Sequence, residues 1–309
     1  MLQSLLGLQP ARAEPALRFE SETDCGSYIR HRIQYQSEPD VWVPAYLLVS
    51  KGAAAGQPRP AVLCIHGHGH FGKDSVVGMT DTPERAAEVS KLRTDFGRRL
   101  VEDGYVVLAP DQRGFGERRP GYPGPHTDYC MRNFMAAAAL GTTVVALQLC
   151  DLGRALDVLQ SLPFVDGERL GCAGLSYGGR MTMMLSAFDQ RIKVCAPSGC
   201  LNLFQARYQA LRQIVCGAQL IPGLLRYGDT PEIFSLIAPR PMVIEWGLSD
   251  GLISHEWAER GLARIRRAYA AAGVPERLTV DRFEGGHEFN GGVALDVLRR
   301  TLGGSLVSA

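Results

Sequence analysis

Along the first fifty residues, the apolar side chains at Val41, Val43, Ala45 and Leu47 fall on every second position. With Tyr28 to Gln36 and the turn Ser37-Glu38-Pro39-Asp40, this predicts a hairpin. Beyond a linker rich in Gly, Ala and Pro, Pro60 opens the unbroken apolar run Ala61 to Ile65. That is the pattern of a strand buried on both faces. The period then changes. Thr82 as cap, Pro83 at the first helical position, apolar Val89, Leu92, Phe96 and Leu100, and Gly104 beyond the end predict one helix. Strands at Val106 to Ala109, Leu170 to Leu175 and Ile192 to Ala196 alternate with helices at Val144 to Leu159 and Met181 to Phe188. Met242 to Trp246, Trp257 to Tyr269, Leu278 to Phe283 and Val293 to Leu302 continue the alternation. Helices between successive strands imply βαβ crossovers. The expected architecture is therefore α/β: a mostly parallel, twisted sheet of about eight strands, helices on both faces, and the opening hairpin as an antiparallel edge.

This reading makes residues 1–26 an N-terminal segment and 27–309 a single domain, with insertions at about 117–141 and 199–240 where the rhythm lapses. In open α/β sheets, ligands sit outside the carboxyl ends of the strands, so insertions leaving those ends are candidate pocket walls.

Composition narrows the function classes. With 309 residues, 46% hydrophobic and 21% charged, the chain is an ordinary globular one. Lys+Arg 33 against Asp+Glu 32 gives net +1, which is not the footprint of a nucleic-acid binder or a polybasic membrane-surface protein. No apolar run is long enough to span a bilayer. Leu5-Leu6-Gly7-Leu8 before Ala11-Arg12-Ala13 matches a secretion signal only in part, because no Lys or Arg precedes Arg12. Eight cysteines in so long a chain do not form a disulfide framework, and Cys64, Cys150, Cys172 and Cys195 lie in apolar stretches. A cytoplasmic protein with reduced thiols is the expectation.

The strongest chemical signal is Gly174-Leu175-Ser176-Tyr177-Gly178-Gly179, between a predicted strand and a predicted helix. A nucleophile elbow needs that context, with small flanking residues so that a serine can project from the turn. A serine hydroxyl needs a base to take its proton, and the base needs an acid to hold its tautomer. Later strands run into Gly247-Leu248-Ser249-Asp250-Gly251 and Glu284-Gly285-Gly286-His287-Glu288-Phe289, which offer Asp250 as acid and His287 as base. Glu245, Asp281 and Glu284 are weaker competitors for the acid. An oxyanion hole would combine the backbone N–H of Tyr177 with one from the loop His66-Gly67-His68-Gly69-His70-Phe71-Gly72-Lys73-Asp74. His68 is assigned that role, with Gly69 the near alternative.

That loop has rival readings. Gly67, Gly69 and Gly72 form a G-x-G-x-x-G, yet no strand ending in an acid follows about 20 positions on, as a dinucleotide fold requires. Gly67 to Lys73 nearly spells a P-loop, but Asp74 stands where Ser or Thr would bind Mg²⁺. His66, His68 and His70 lack the continuation of a metal site, so no metal is expected. His31, His126 and His255 read as structural or surface residues, and Asp111-Gln112-Arg113-Gly114-Phe115-Gly116 as a turn held by a local Asp–Arg pair.

At these residues the chain resembles the α/β-hydrolase superfamily, and within it the dienelactone hydrolase and acetyl xylan esterase-like group of serine esterases. Besides the elbow, Ser37 to Val49, His66 to Asp74, Asp111 to Arg118, Ile221 to Asp229 and Gly285 to Phe289 are similar to that group's recurrent segments. The resemblance implies the α/β-hydrolase fold and ester hydrolysis through an acyl-Ser176 intermediate, without a cofactor. Dienelactone hydrolases proper use cysteine as nucleophile, so Ser176 favours a general carboxylesterase. The expected partner is a small ester, such as an acetylated sugar or an aryl or alkyl ester, with His70, Phe71, Tyr129, Phe134, Phe204 and Tyr208 as its walls. The alternatives are a peptidase or amidase of the same fold, or a hydrolase-like binding protein without turnover.

Overall fold

The computed structural model describes residues 2–14, 16–51, 57–122, 129–206 and 216–303. Nine strands form one sheet: β1 (Leu17–Asp24), β2 (Tyr28–Glu38), β3 (Val41–Ser50), β4 (Arg59–Ile65), β5 (Val106–Pro110), β6 (Val165–Leu175), β7 (Ile192–Ser198), β8 (Met242–Gly247) and β9 (Leu278–Phe283). They lie in the order β1-β2-β3-β5-β4-β6-β7-β8-β9. β1, β2, β3 and β5 pair antiparallel, and from β5 across to β9 every neighbour runs parallel. β4 and β8 are buried almost throughout because helices cover both faces, each over its own apolar cluster. Among the described residues, no helix is long and apolar enough to cross a membrane.

Several elements differ from the sequence expectation, each for a local reason. β1 lies in the segment expected to precede the domain; its side chains are almost all exposed, so no apolar alternation announced it. β6 begins at Val165 rather than Leu170, because its first residues pair at the rim and stay polar. The helix expected from Thr82 to Gly104 is two, Pro83–Leu92 and Phe96–Glu102. Arg93 turns left-handed between them, and the Leu92 carbonyl accepts the N–H of Phe289 at 3.0 Å. Both insertions also contain helices, Cys130–Ala139 and Thr230–Ser235. The second is fixed by Asp229, which caps it and also accepts the amides of Phe204 at 2.8 Å and Gln205 at 2.9 Å.

Candidate active site

Four loops leave the carboxyl ends of β4, β6, β8 and β9 and meet, as open α/β sheets dispose their ligand sites. After β6, Ser176 adopts φ 61° and ψ −118°, one of two described non-glycine residues with positive φ. Such strain persists only where the surroundings enforce it. Here they do. A Cβ on Gly178 would lie 1.9 Å from the Ile65 carbonyl oxygen, and one on Gly174 would lie 2.5 Å from Gly178. The helix Tyr177–Phe188 begins at once, four residues before the glycine-rich sequence had suggested. As its first residue, Tyr177 has an amide with no partner inside the helix.

Asp250, on the loop after β8, is 3% exposed. Its Oδ2 lies 2.7 Å from His287 Nδ1, and its Oδ1 accepts the Leu252 N–H at 2.9 Å, so both oxygens are committed. The His287 ring packs beside Gly199, where an added Cβ would stand 3.2 Å from ring carbon Cε1. Ser176 and His287 line one cavity of about 430 Å³ and are not hydrogen-bonded to each other. Two of the competing acids are engaged elsewhere. Asp281 accepts Asn290, and the buried Glu245 accepts the Gly291 N–H at 3.0 Å. Burial pushes the Glu245 carboxyl up to about 7, against the pull of the Gly291 N–H.

The loop after β4 lies against the elbow: a Cβ on Gly67 would come within 2.9 Å of the Leu175 carbonyl oxygen and 3.3 Å of Ser176 Cβ. Its three histidines diverge. Buried His66 accepts the Gln112 N–H at 2.9 Å, and burial lowers its basicity. The His68 ring packs against both Phe115 and Tyr177, with Nε2 3.1 Å from Cys216 Sγ. His70 is exposed at the cavity rim, its N–H donating to Glu88 at 2.8 Å. The P-loop-like lysine serves a different purpose. Lys73 is buried, with Nζ 2.9 Å from Asp111 Oδ2 and bonded also to Glu117. Burial disfavours its charge, but Asp111, Asp74 and Glu117 outweigh that and hold it protonated. The local Asp–Arg pair expected at Asp111 is thus replaced by a lysine from the preceding loop. Arg113 instead pairs with Asp151 and Glu38.

Of the expected walls among the described residues, only His70 lines the cavity that holds Ser176. Phe71 lies beside the Arg85 guanidinium, and Tyr129 borders a separate depression with Arg118 and Asn133. Phe134 packs on the core, and Phe204 is buried under Arg180. Tyr208 and His126 lie outside the described residues. The actual walls include Glu88, Ser75, Thr94, Leu252, Cys216 and Gln219. None belongs to a sequence motif. Glu88 reaches the site because its helix turns one face toward Gly69, where a Cβ would come within 2.5 Å of the carboxylate.

Comparison with known proteins agrees with this architecture. Residues 9–289 match the model of the abhydrolase family, the α/β-hydrolases. YtaP of Bacillus subtilis (strain 168), provisionally named a hydrolase, is 30% identical over 259 residues, which cover 79% of this chain and 77% of YtaP. A solved structure from Bacteroides fragilis NCTC 9343, provisionally described as an acetyl xylan esterase, superposes with a TM-score of 0.74 at 21% identity, covering 91% of this chain and 72% of that one. A glucuronoyl esterase from Solibacter usitatus gives 0.68 at 18% identity, covering 96% and 90%. At those identities the structural likeness is one of fold. With a family match over nearly its whole length and a strained serine between β6 and its helix, the chain belongs to the α/β-hydrolase family.

Proposed function

We propose that the protein is a serine carboxylesterase that hydrolyses esters of short, neutral acyl groups, acetylated sugars among them. The observation that carries this reading is the hydrogen bond from His287 Nδ1 to the buried Asp250, beside the strained Ser176. Asp250 fixes the tautomer that leaves His287 Nε2 as the acceptor. Ser176 Oγ attacks the ester carbonyl carbon while its proton passes to Nε2. Contacts of this kind are often loose without substrate and tighten in the complex. The oxyanion is held by the backbone N–H groups of Tyr177 and His68, with Gly69 next in line. Collapse expels the alcohol, which takes the proton from His287, and leaves acyl-Ser176. Water, deprotonated by the same nitrogen, then releases the acid.

The cavity supports the substrate class. It offers polar side chains from Ser75, Glu88, Thr94 and Gln219 beside a few apolar ones, which suits hydroxyl-bearing esters better than long chains. The Glu88 carboxylate would accept a sugar hydroxyl and repel an anionic acyl group.

The test is labelling of the purified protein with a fluorophosphonate, followed by turnover of p-nitrophenyl esters from acetyl to decanoyl and of matching anilides. One label per chain, on Ser176, is expected. kcat/KM should peak between acetyl and butyryl, because a further methylene contributes about 0.8 kcal/mol only where it is buried. Failure to label would favour a binding protein, and faster anilide cleavage an amidase. A steady rise to decanoyl would withdraw the short-acyl preference.

A further inference from the structure

His68 Nε2 lies 3.1 Å from Cys216 Sγ and 3.5 Å from Cys130 Sγ, and the three donor atoms all lie within 4.8 Å of one another. They come from three distant segments: the loop after β4, the first turn of the helix Cys130–Ala139, and the residue before the short turn Gly217–Gln219. We propose that His68, Cys130 and Cys216 form a zinc-binding site beside the candidate ester cavity.

The spacing fits the ion. Tetrahedral zinc, with Zn–N of about 2.0–2.1 Å and Zn–S of about 2.3 Å, needs donor separations of roughly 3.6 Å for N–S and 3.8 Å for S–S; the two N–S distances, 3.1 and 3.5 Å, are within about 0.5 Å of that, and the sulfurs lie within 4.8 Å of each other. The donor chemistry fits too. Two thiolates and an imidazole, with no carboxylate among them, select a soft or borderline ion over Mg²⁺ or Ca²⁺. Bound as thiolates, the two sulfurs would balance the dication and leave no net charge at the site.

The ligands are also held in place. Phe115 and Tyr177 grip the His68 ring, with centroids 5.2 and 4.8 Å away. A Cβ on Gly217 would approach the Cys130 carbonyl oxygen to 2.9 Å and Phe134 Cβ to 2.6 Å, so the two cysteine-bearing segments are closely packed. Supporting contacts of this kind orient ligands in metal sites. Cys130 is buried, whereas His68 and Cys216 line the cavity, so an ion held by the three would border the cavity. Occupancy would tie both insertions to the loop that carries the His68 amide. None of the eight cysteines is joined in a disulfide.

The experiment is a Co²⁺ titration of full-length protein freed of metal by chelator and kept reduced, followed by displacement with Zn²⁺. The expected result is one equivalent per chain, with a thiolate-to-cobalt charge-transfer band and the intense visible bands of tetrahedral cobalt. Cys216→Ser and Cys130→Ser should each weaken binding by about 100-fold or more, beyond the loss typical of a supporting residue. Ser176→Ala should bind as the wild type does, which separates this site from the esterase reading. Native mass spectrometry of the wild type with Zn²⁺ keeps the test sound should a cysteine variant fail to fold. Absence of the charge-transfer band, unchanged binding in the double cysteine variant, or a Cys130–Cys216 disulfide that forms during purification and ignores added zinc would overturn the proposal.

Discussion

Around Lys73 and around His287, carboxylates meet a nitrogen base at the same end of the sheet, yet the two clusters are finished to different degrees. Lys73 and Asp111 have fully buried side chains. Asp111 Oδ1 accepts the Lys73 N–H and Oδ2 accepts the Glu117 N–H, both at 2.9 Å. Asp74 is engaged by Arg85 and Tyr122, and Glu117 by Arg32. Lys73, Arg85 and Arg32 thus meet Asp111, Asp74 and Glu117 at the centre, with Asp81 and Glu20 pairing the two arginines at the outer edge. Among the described residues the His287 ring has one hydrogen-bond partner, Asp250, and its side chain is 19% exposed at a cavity. A closed set of charges holds a loop in place, whereas a pair left open on one side can take a proton from something that arrives. A third case lies between them: Glu245 on β8 is buried, accepts the Gly291 N–H and has no ion-pair partner among the described residues, and burial is the main reason its carboxyl sits near 7.

Substitutions should separate these cases, most strongly at the open site. Ser176→Ala is expected to lower kcat for p-nitrophenyl acetate by on the order of 10⁴ or more while the melting curve stays put. A variant keeping a tenth of wild-type kcat would remove Ser176 from the reaction. Asp250→Asn should cost a comparable factor in kcat with little change in KM, because the amide allows the wrong tautomer. Steady-state kinetics that showed only a KM effect would break the contrast.

Lys73→Met should act on stability instead. Removing the cation leaves Asp111 and its neighbours buried and uncompensated, a loss of about 3–5 kcal/mol in urea unfolding. A loss below about 1 kcal/mol would mean that the cluster is not closed as described.

Glu245→Gln gives the smallest effect, with a sign set by pH. The folded carboxyl, near 7, lies above its ordinary 4.5, so the protonated form is the one folding favours. Its contribution is complete below about pH 4.5 and is lost as pH rises through 7. The variant keeps an acceptor for Gly291 and carries no charge. It should therefore match the wild type near pH 4.5 and exceed it by about 1–3 kcal/mol at pH 8.5. Equal stability at both values, followed by chemical unfolding, would show that Glu245 pays no cost for its burial.

The parallel sheet, the serine turn and the two later loops were legible in the sequence because each depends on neighbours in the chain. Apolar runs mark buried strands, and Gly174 and Gly178 mark a turn too tight for side chains. Asp250 and His287 follow from their positions just beyond β8 and β9. β1 was not legible, since its exposed residues carry no burial signal, nor was the helix break at Arg93, which depends on the distant amide of Phe289. The aromatic residues of the insertions suggested a wall. Packing sent Phe204 under Arg180 and brought Glu88, Gln219 and Cys216 to the cavity instead. What the sequence determined by itself was the identity of the elements and the residues at their ends, because periodicity and turn chemistry act over a few positions. Which side chains share a cavity, and that His68 meets Cys130 and Cys216, only the tertiary structure decided. Those contacts join segments 62 and 148 residues apart, and no local pattern carries the packing that brings them together.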